Sequence, residues 1–122
     1  MKYTFYKYQG TGNDFILFDN RQQELDFLTK NQIKSLCDRR FGIGADGLML
    51  LENHPDFDFK MVYYNADGGE SSMCGNGGRC LVAFAKKLNT NKKLQAITTL
   101  KKTFNALVLR TIVFLKFIYN NI

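Results

Sequence analysis

The chain has 122 residues, enough for one modest domain, and its 45% hydrophobic content is ordinary for a globular protein. Three cysteines do not suit a disulfide framework, and one histidine without a Cys-x-x-Cys pair leaves no credible metal site. The net charge of +6 arises in the second part of the chain, because residues 71–122 hold nine Lys or Arg and no Asp or Glu.

The hydrophobic pattern predicts short strands and two helices. Predicted strands lie at residues 2–7, 15–19, 48–52 and 57–65. A helix is predicted at residues 29–40, with Thr29 as its N-cap, and a second at residues 79–88 with an apolar stripe. The turn at residues 9–14 separates the first two strands. This order indicates an α+β fold.

The end of the chain has a different character. Residues 94–106 could hold a strand. Residues 107–119 form a nearly unbroken apolar run that suits a strand prone to aggregation when exposed. That run is too short to span a bilayer, which needs roughly 20 apolar residues, and Arg110 and Lys116 interrupt it. No membrane partner is therefore expected. The N-terminus lacks a signal-peptide pattern and the thiols are expected to be free, so we predict a cytoplasmic location.

Residues 42–47 match the dinucleotide-binding pattern G-x-G-x-x-G. That pattern must follow a strand and open a helix, whereas here a predicted helix precedes it and a predicted strand follows. We therefore interpret it as a loop that needs unusual backbone angles.

A glycine-rich turn after Cys74 is the strongest chemical signal. Gly75, Asn76 and Gly77 lead from this cysteine into the second predicted helix. A helix N-terminus has unpaired N–H groups and favours negative charge, so it can stabilise a thiolate and bind a carboxylate. Cys74 is thus a candidate base; the alternative is a buried small residue before a turn. The other two cysteines, Cys37 and Cys80, are expected in the core.

Three asparagines flank turns: Asn13, Asn65 and Asn76. Each side chain offers a donor and an acceptor that suit the ammonium and carboxylate groups of an amino acid. The alternative for each is local capping of its turn.

Four segments together closely resemble the diaminopimelate epimerase family: residues 10–15, 38–47, 65–70 and 73–80. The Cys-Gly-Asn-Gly sequence at residues 74–77 favours this family over the related proline racemases. The resemblance implies two similar halves, each a mixed or antiparallel barrel-like sheet wrapped around a central helix. It also implies cofactor-independent, two-base interconversion of LL- and meso-2,6-diaminopimelate in lysine biosynthesis, with one cysteine from each half facing the α-carbon.

Carried over by position, the resemblance makes Cys74 the catalytic cysteine of the first half. Gly75 and Asn76 would hold the substrate carboxylate, and Asn13 and Asn65 would line the site. Gly47 stands where many members have a substrate-contacting glutamine.

The resemblance covers about residues 1–88 and fades through residues 101–106. We accordingly predict an incomplete epimerase-like domain at 1–106 and a non-matching apolar, basic tail at 107–122, as in a truncated or frameshifted product. The second cysteine of the family would be missing, so we expect the chain to be inactive alone. A homodimer in which Cys74 of each copy faces one substrate is an alternative.

Two other functions remain open at this point. One is racemase chemistry on another amino acid. The other is a non-enzymatic module whose paired lysines, at 86–87, 92–93 and 101–102, bind nucleic acid or acidic lipid. Paired lysines are more often a solvated face, and no nucleic-acid motif accompanies them, so no nucleic-acid partner is expected. The partner that the resemblance implies is a small-molecule amino-acid substrate.

Overall fold

The structure is a computed structural model that describes residues 2–71, 75–88 and 113–120. In chain order its elements are β1 (Lys2–Gly10), β2 (Asn13–Asp19), α1 (Lys30–Cys37), β3 (Gly47–Glu52), β4 (Lys60–Asn65), β5 (Glu70–Ser71), α2 (Gly75–Lys87) and β6 (Val113–Asn120). No helix in these ranges is both long and apolar enough to cross a membrane.

The six strands form one mixed sheet in the order β5-β4-β3-β2-β1-β6. β2 and β3 are parallel, and the connection between them contains α1; every other neighbouring pair is antiparallel. The mixed sheet with its two helices confirms the coarse fold prediction. Wrapping of the sheet as a barrel around a central helix stays a prediction.

The two helices cover opposite faces of the sheet. Along β2, Phe15 and Leu17 join the core on the α2 side, and Ile16 and Phe18 join the core on the α1 side, as the two-residue period of a strand requires. The α2 side also contains Met49, Leu51, Met61, Cys80, Leu81, Phe84 and Ala85; the α1 side also contains Ile33, Leu36, Cys37, Leu48, Leu50 and Val62. Burial on both faces explains why β2 and β3 read as continuous apolar runs.

A tight hairpin sets where β2 begins. Its register pairs Gly10 with Asn13, which leaves a two-residue turn. Both turn residues, Thr11 (φ 55°) and Gly12 (φ 80°), have positive φ, as a type I′ turn requires. Glycine adopts this conformation readily, whereas a β-branched residue is strained in it. The turn therefore fixes the position of Asn13 at the end of the sheet.

The helix predicted at residues 29–40 is confirmed as α1, although it ends at Cys37. Its N-cap is Thr29, whose hydroxyl accepts a hydrogen bond from the backbone of Gln32, while the Gln32 side chain accepts one from the backbone of Thr29. The N-cap at Thr29 was predicted from the sequence, whereas the returning hydrogen bond to Gln32, which completes a capping box, was not.

Several predicted boundaries were wrong. β1 ends at Gly10 and not at residue 7, β2 begins at Asn13 and not at residue 15, and α1 ends at Cys37 and not at residue 40. β4 begins at Lys60 and not at residue 57, because the chain bends through residues 55–58 and leaves Phe57 40% exposed. α2 begins at Gly75, four residues before the predicted start. Of the terminal run, residues 113–120 form a strand as predicted. The strand considered at residues 94–106 lies outside the described residues.

Candidate active site

Four strand ends meet at one end of the sheet, which we call the site end: Gly10, Asn13, Gly47 and Asn65. Gly10 pairs with Asn13, and Gly47 pairs with Asn65, across the antiparallel pairs β1–β2 and β3–β4. β2 and β3 run parallel, with Phe15 beside Gly47, so the starts of both lie on the same side. Three of the segments that resemble the epimerase family therefore converge here.

The first turn of α2 is tied to the site end by Asn76. The Asn76 side-chain nitrogen donates to the main-chain oxygen of Gly10 at 2.6 Å and to the side-chain oxygen of Asn13 at 3.1 Å. Arg79, one turn further along α2, donates to the Asn76 side-chain oxygen at 3.0 Å. Both ends of the Asn76 amide are thus engaged. The Asn76 side chain therefore positions the helix N-terminus. A ligand would be bound by the backbone N–H groups of the first turn and not by this amide.

Close approach of α2 to the sheet depends on two glycines. A Cβ atom at Gly10 would lie 2.2 Å from the Asn76 side-chain oxygen, and a Cβ at Gly77 would lie 3.0 Å from the Met49 methyl carbon. Gly77 is buried over Met49 and Phe15. This contact accounts for a helix that starts within a glycine-rich segment, because packing outweighs the roughly 1 kcal/mol propensity cost of each glycine.

Asn13 is held from its other side by Asp46. The Asn13 side-chain nitrogen donates to Asp46 Oδ2 at 2.6 Å, and the backbone N–H of Asp14 donates to the same oxygen at 3.2 Å. Asp46 Oδ1 accepts from Arg39 at 2.9 Å. The Asn13 amide is therefore oriented with its nitrogen towards Asp46 and its oxygen towards Asn76.

A charged cluster of Lys7, Asp14, Arg39 and Asp46 supports this arrangement. Asp14 accepts from Lys7 at 2.6 Å and from the Arg39 guanidinium at 2.8 and 3.2 Å. Burial opposes ionisation of Asp14, but the hydrogen bonds and charges of Arg39 and Lys7 outweigh it and hold the pKa of Asp14 well below its usual range. The cluster joins β1, β2 and the loop between α1 and β3. None of its members was predicted from the sequence to have a role.

Asn65 lies at the site end but in a different setting. Its side chain is exposed, and its backbone forms a turn in which Gly68 donates to the Asn65 oxygen at 2.9 Å and Asn65 donates to the Gly69 oxygen at 2.9 Å. The predicted turn-flanking position of Asn65 fits this backbone turn. Binding of a ligand by its amide stays a prediction.

Gly47, where the family resemblance implies a glutamine in many members, has no room for a side chain. A Cβ atom there would lie 2.7 Å from the Tyr63 ring and 2.8 Å from the main-chain oxygen of Tyr64. A larger residue would require Tyr63 to move. Position 47 therefore contributes no polar side chain to the start of β3.

The structure describes two of the three cysteines. Cys74, the predicted catalytic residue, lies outside the described residues; it precedes Gly75, which is the first residue of α2. Cys37 and Cys80 are buried as predicted, on opposite sides of the sheet, and neither is in a disulfide. Burial raises the pKa of the Cys37 thiol to about 11, so this thiol is un-ionised near neutral pH.

The G-x-G-x-x-G match at residues 42–47 is a loop, as predicted. It follows α1 and leads into β3. Gly44 has φ 83°, and a Cβ there would lie 3.0 Å from the Arg39 Cα. The loop brings Asp46 to the site end and does not open a helix.

The sequence of the chain matches a known family over most of its length. A sequence model of the family described as diaminopimelate epimerase matches residues 5–103. The diaminopimelate epimerase of Flavobacterium psychrophilum is 71% identical over 87 residues, which are 71% of this chain and 34% of that protein. The enzyme of the same name from Prochlorococcus marinus is 52% identical over 103 residues, 80% of this chain and 35% of the relative. The chain thus spans about a third of the length of these relatives.

Two solved structures share the fold at low sequence identity. A Bacillus anthracis phenazine biosynthesis protein of the PhzF family superimposes with a TM-score of 0.55 at 15% identity, over 76% of this chain and 30% of that one. A methylitaconate-delta-isomerase superimposes with a TM-score of 0.59 at 14% identity, over 78% and 29%. The family match over residues 5–103 and the close sequence relatives show that the chain belongs to the diaminopimelate epimerase family.

Proposed function

We propose that this chain supplies one half-site of a diaminopimelate epimerase, with Cys74 as the base for one face of the substrate α-carbon. The observation that carries the proposal is the convergence of Asn13, Asn65 and Asn76 with the N-terminus of α2, next to which Cys74 stands in the sequence. Supporting it, a relative named diaminopimelate epimerase is 71% identical to this chain over 87 residues.

The reaction divides between two thiols. The Cys74 thiolate takes the α-proton and becomes a thiol, leaving a carbanion, and an acid on the other face donates a proton to complete the inversion. The partial positive charge at the N-terminus of α2 favours both the thiolate and the substrate carboxylate. Because the Asn76 side chain is engaged by Gly10 and Arg79, we assign the carboxylate to the backbone N–H groups of Gly75 and Asn76.

The second acid must come from elsewhere. Cys37 and Cys80 are fully enclosed in the two cores, so neither reaches a substrate at the site end. A thiol from outside these 122 residues, or Cys74 of a second copy, would serve. The proposal also implies that the family architecture, with its barrel-like sheet around α2, is complete only when that second half is present. A cytoplasmic location suits the chemistry, since a thiolate base must stay reduced.

The test is binding and α-proton exchange by the purified chain. LL-diaminopimelate is titrated into 15N-labelled protein while the amide resonances of Gly75 and Asn76 are followed. A second sample in D₂O is monitored for deuterium at the α-carbon and for meso product. Cys74→Ala removes the proposed base, and Cys37→Ala removes a thiol that faces the opposite core.

Binding that shifts Gly75 and Asn76 supports the half-site. Exchange with inversion, lost only in Cys74→Ala, would add that two copies form the complete site. Binding of another amino acid in preference to diaminopimelate would point to a different racemase. A chain that binds neither diaminopimelate nor any other amino acid contradicts the proposal.

A further inference from the structure

We infer that Asp46 is a positioning residue for the proposed half-site, acting on the N-terminus of α2 through Asn13 and Asn76. The inference rests on the proposed function for its catalytic meaning, but not for its geometry. A continuous series of hydrogen bonds runs from Arg39 through Asp46, Asn13 and Asn76 to Arg79.

Each link in the series fixes the direction of the next. Arg39 can only donate, so it takes one Asp46 oxygen and leaves the other for the Asn13 nitrogen at 2.6 Å. That places the Asn13 oxygen towards the Asn76 nitrogen, at 3.1 Å. The Asn76 oxygen then faces Arg79, at 3.0 Å. Two cations at the ends therefore set the orientation of both amides.

A carboxylate is required at position 46 because both of its oxygens accept. One accepts from Arg39; the other accepts from the Asn13 side chain and from the Asp14 backbone. An amide has a single acceptor oxygen. In Asp46→Asn, either Arg39 or Asn13 would face an NH₂ group, and turning Asn13 over would only move the mismatch to Asn76. The substitution is nearly equal in shape, so it tests orientation and not packing.

Cys74 directly precedes α2 in the sequence, so the inference predicts an effect on its thiol. Asn76 is the second residue of α2, and its bonds to Gly10 and Asn13 hold the first helical turn against β1 and β2. Loss of the Asn13 bond lets that turn fray. A frayed turn offers less positive potential, and the ionisation of a neighbouring thiol becomes less favourable.

The experiment compares wild type, Asp46→Asn, and Asp56→Asn as a matched control. Asp56 is an exposed carboxylate in the loop before β4, at the opposite end of the sheet. The first readout is the side-chain NH₂ resonances of Asn13 and Asn76 in 15N-labelled protein. The second is the pH midpoint of Cys74 alkylation, measured by peptide mass spectrometry.

In Asp46→Asn both amide resonances should move towards solvent-exposed values, and the alkylation midpoint should rise by about half a pH unit. Asp56→Asn should match wild type in both. Unchanged Asn13 and Asn76 resonances in Asp46→Asn would overturn the inference. An equal shift in Asp56→Asn would also overturn it, since the effect would then be one of net charge.

Exchanging the residues at positions 13 and 46 should restore the hydrogen-bond series. A variant that had merely lost its structure would not be restored in this way. In the double variant Asn13→Asp with Asp46→Asn, the amide introduced at position 46 can donate to the carboxylate introduced at position 13. The second oxygen of that carboxylate then accepts from Asn76. The Asn76 resonance should return from the solvent-exposed value to that of a hydrogen-bonded amide. Failure of the Asn76 resonance to return contradicts the series. Because that resonance needs no substrate, a wrong substrate assignment would leave this result intact.

Discussion

Asn76 in the first turn of α2 donates its side-chain amide to the backbone oxygen of Gly10 across 66 residues of sequence, at 2.6 Å. This hydrogen bond joins the glycine-rich turn after Cys74 to the hairpin that carries Asn13. The candidate site therefore exists only in the folded chain, and its geometry depends on how closely the helix approaches the hairpin.

Gly10→Ala should weaken this junction. The new Cβ would lie 2.2 Å from the Asn76 side-chain oxygen, so Asn76 must move and lose its bond to Gly10. We expect a loss of about 1–3 kcal/mol in the free energy of unfolding, measured by urea denaturation. In a double-mutant cycle with Asn76→Ala, most of that loss should disappear.

Gly12→Ala is the matched control, since among the described residues no atom outside residues 11–13 lies within 4 Å of its added Cβ. Its cost of about 1 kcal/mol should come from the positive φ alone and be independent of residue 76. Equal coupling of both glycines to Asn76 would contradict this explanation.

Asp14→Asn should flatten the acid side of the stability curve. The pKa of Asp14 is depressed below the unfolded value of about 3.9, so its stabilisation is complete above about pH 4. As the pH falls towards the folded pKa, the unfolded chain binds the proton first and the stabilisation is lost. Unfolding free energies between about pH 2.5 and 6 should fall less steeply in the variant, which should also lose about 2 kcal/mol at pH 6. Parallel curves would show that Lys7 and Arg39 do not stabilise the Asp14 carboxylate.

Cys37 should contribute to alkaline destabilisation. Burial raises its folded pKa to about 11 from an unfolded value near 9, so the neutral thiol stabilises the fold below about pH 9 and this contribution is lost as the pH rises towards 11. Cys37→Ala should be less stable at about pH 7, because it leaves a cavity, but should show a shallower decline between about pH 8 and 10.5. The measurement is chemical denaturation across that range, and an unchanged decline would contradict it.

Thr29→Ala should remove the N-cap of α1. The Thr29 hydroxyl accepts from Gln32 N–H at 3.2 Å, and its loss should cost about 1 kcal/mol. Thr29→Asn keeps an acceptor at the cap and should recover most of that stability. Thermal unfolding of the two variants decides the matter; equal losses in both would mean that the cap contributes little.

Local features were predictable from the sequence, and contacts between distant segments were not. The N-cap residue Thr29 and its partner Gln32 lie within four residues, and the apolar run of β3 is continuous, so the cap and the strand both gave clear signals. The start of α2 did not, because the glycines at 75 and 77 disfavour a helix locally. Their helical conformation follows from packing of Gly77 on Met49 and Phe15, which the sequence does not display.

The charged cluster could not be predicted from the sequence either, because its members are far apart along the chain. Asp14 and Asp46 are 32 residues apart, and Lys7 and Gly44 are 37 apart, yet all lie together at the start of β2. The three asparagines could be proposed from their chemical type and turn positions. Which way the Asn13 and Asn76 amides point depends on Asp46 and Arg79, and that required the fold.

The pairing of β1 with β6 has a consequence for synthesis on the ribosome. Lys2 pairs with Asn120 and Gln9 with Val113, so β1 is synthesised more than 100 residues before the strand that pairs with its outer edge is complete. The rest of the described sheet and α2 are complete in sequence by residue 88. At about 5–20 residues per second, the interval before residue 120 is added lasts roughly 2 to 6 seconds. Throughout that interval the outer edge of β1 is open to strand addition by another nascent chain or a chaperone.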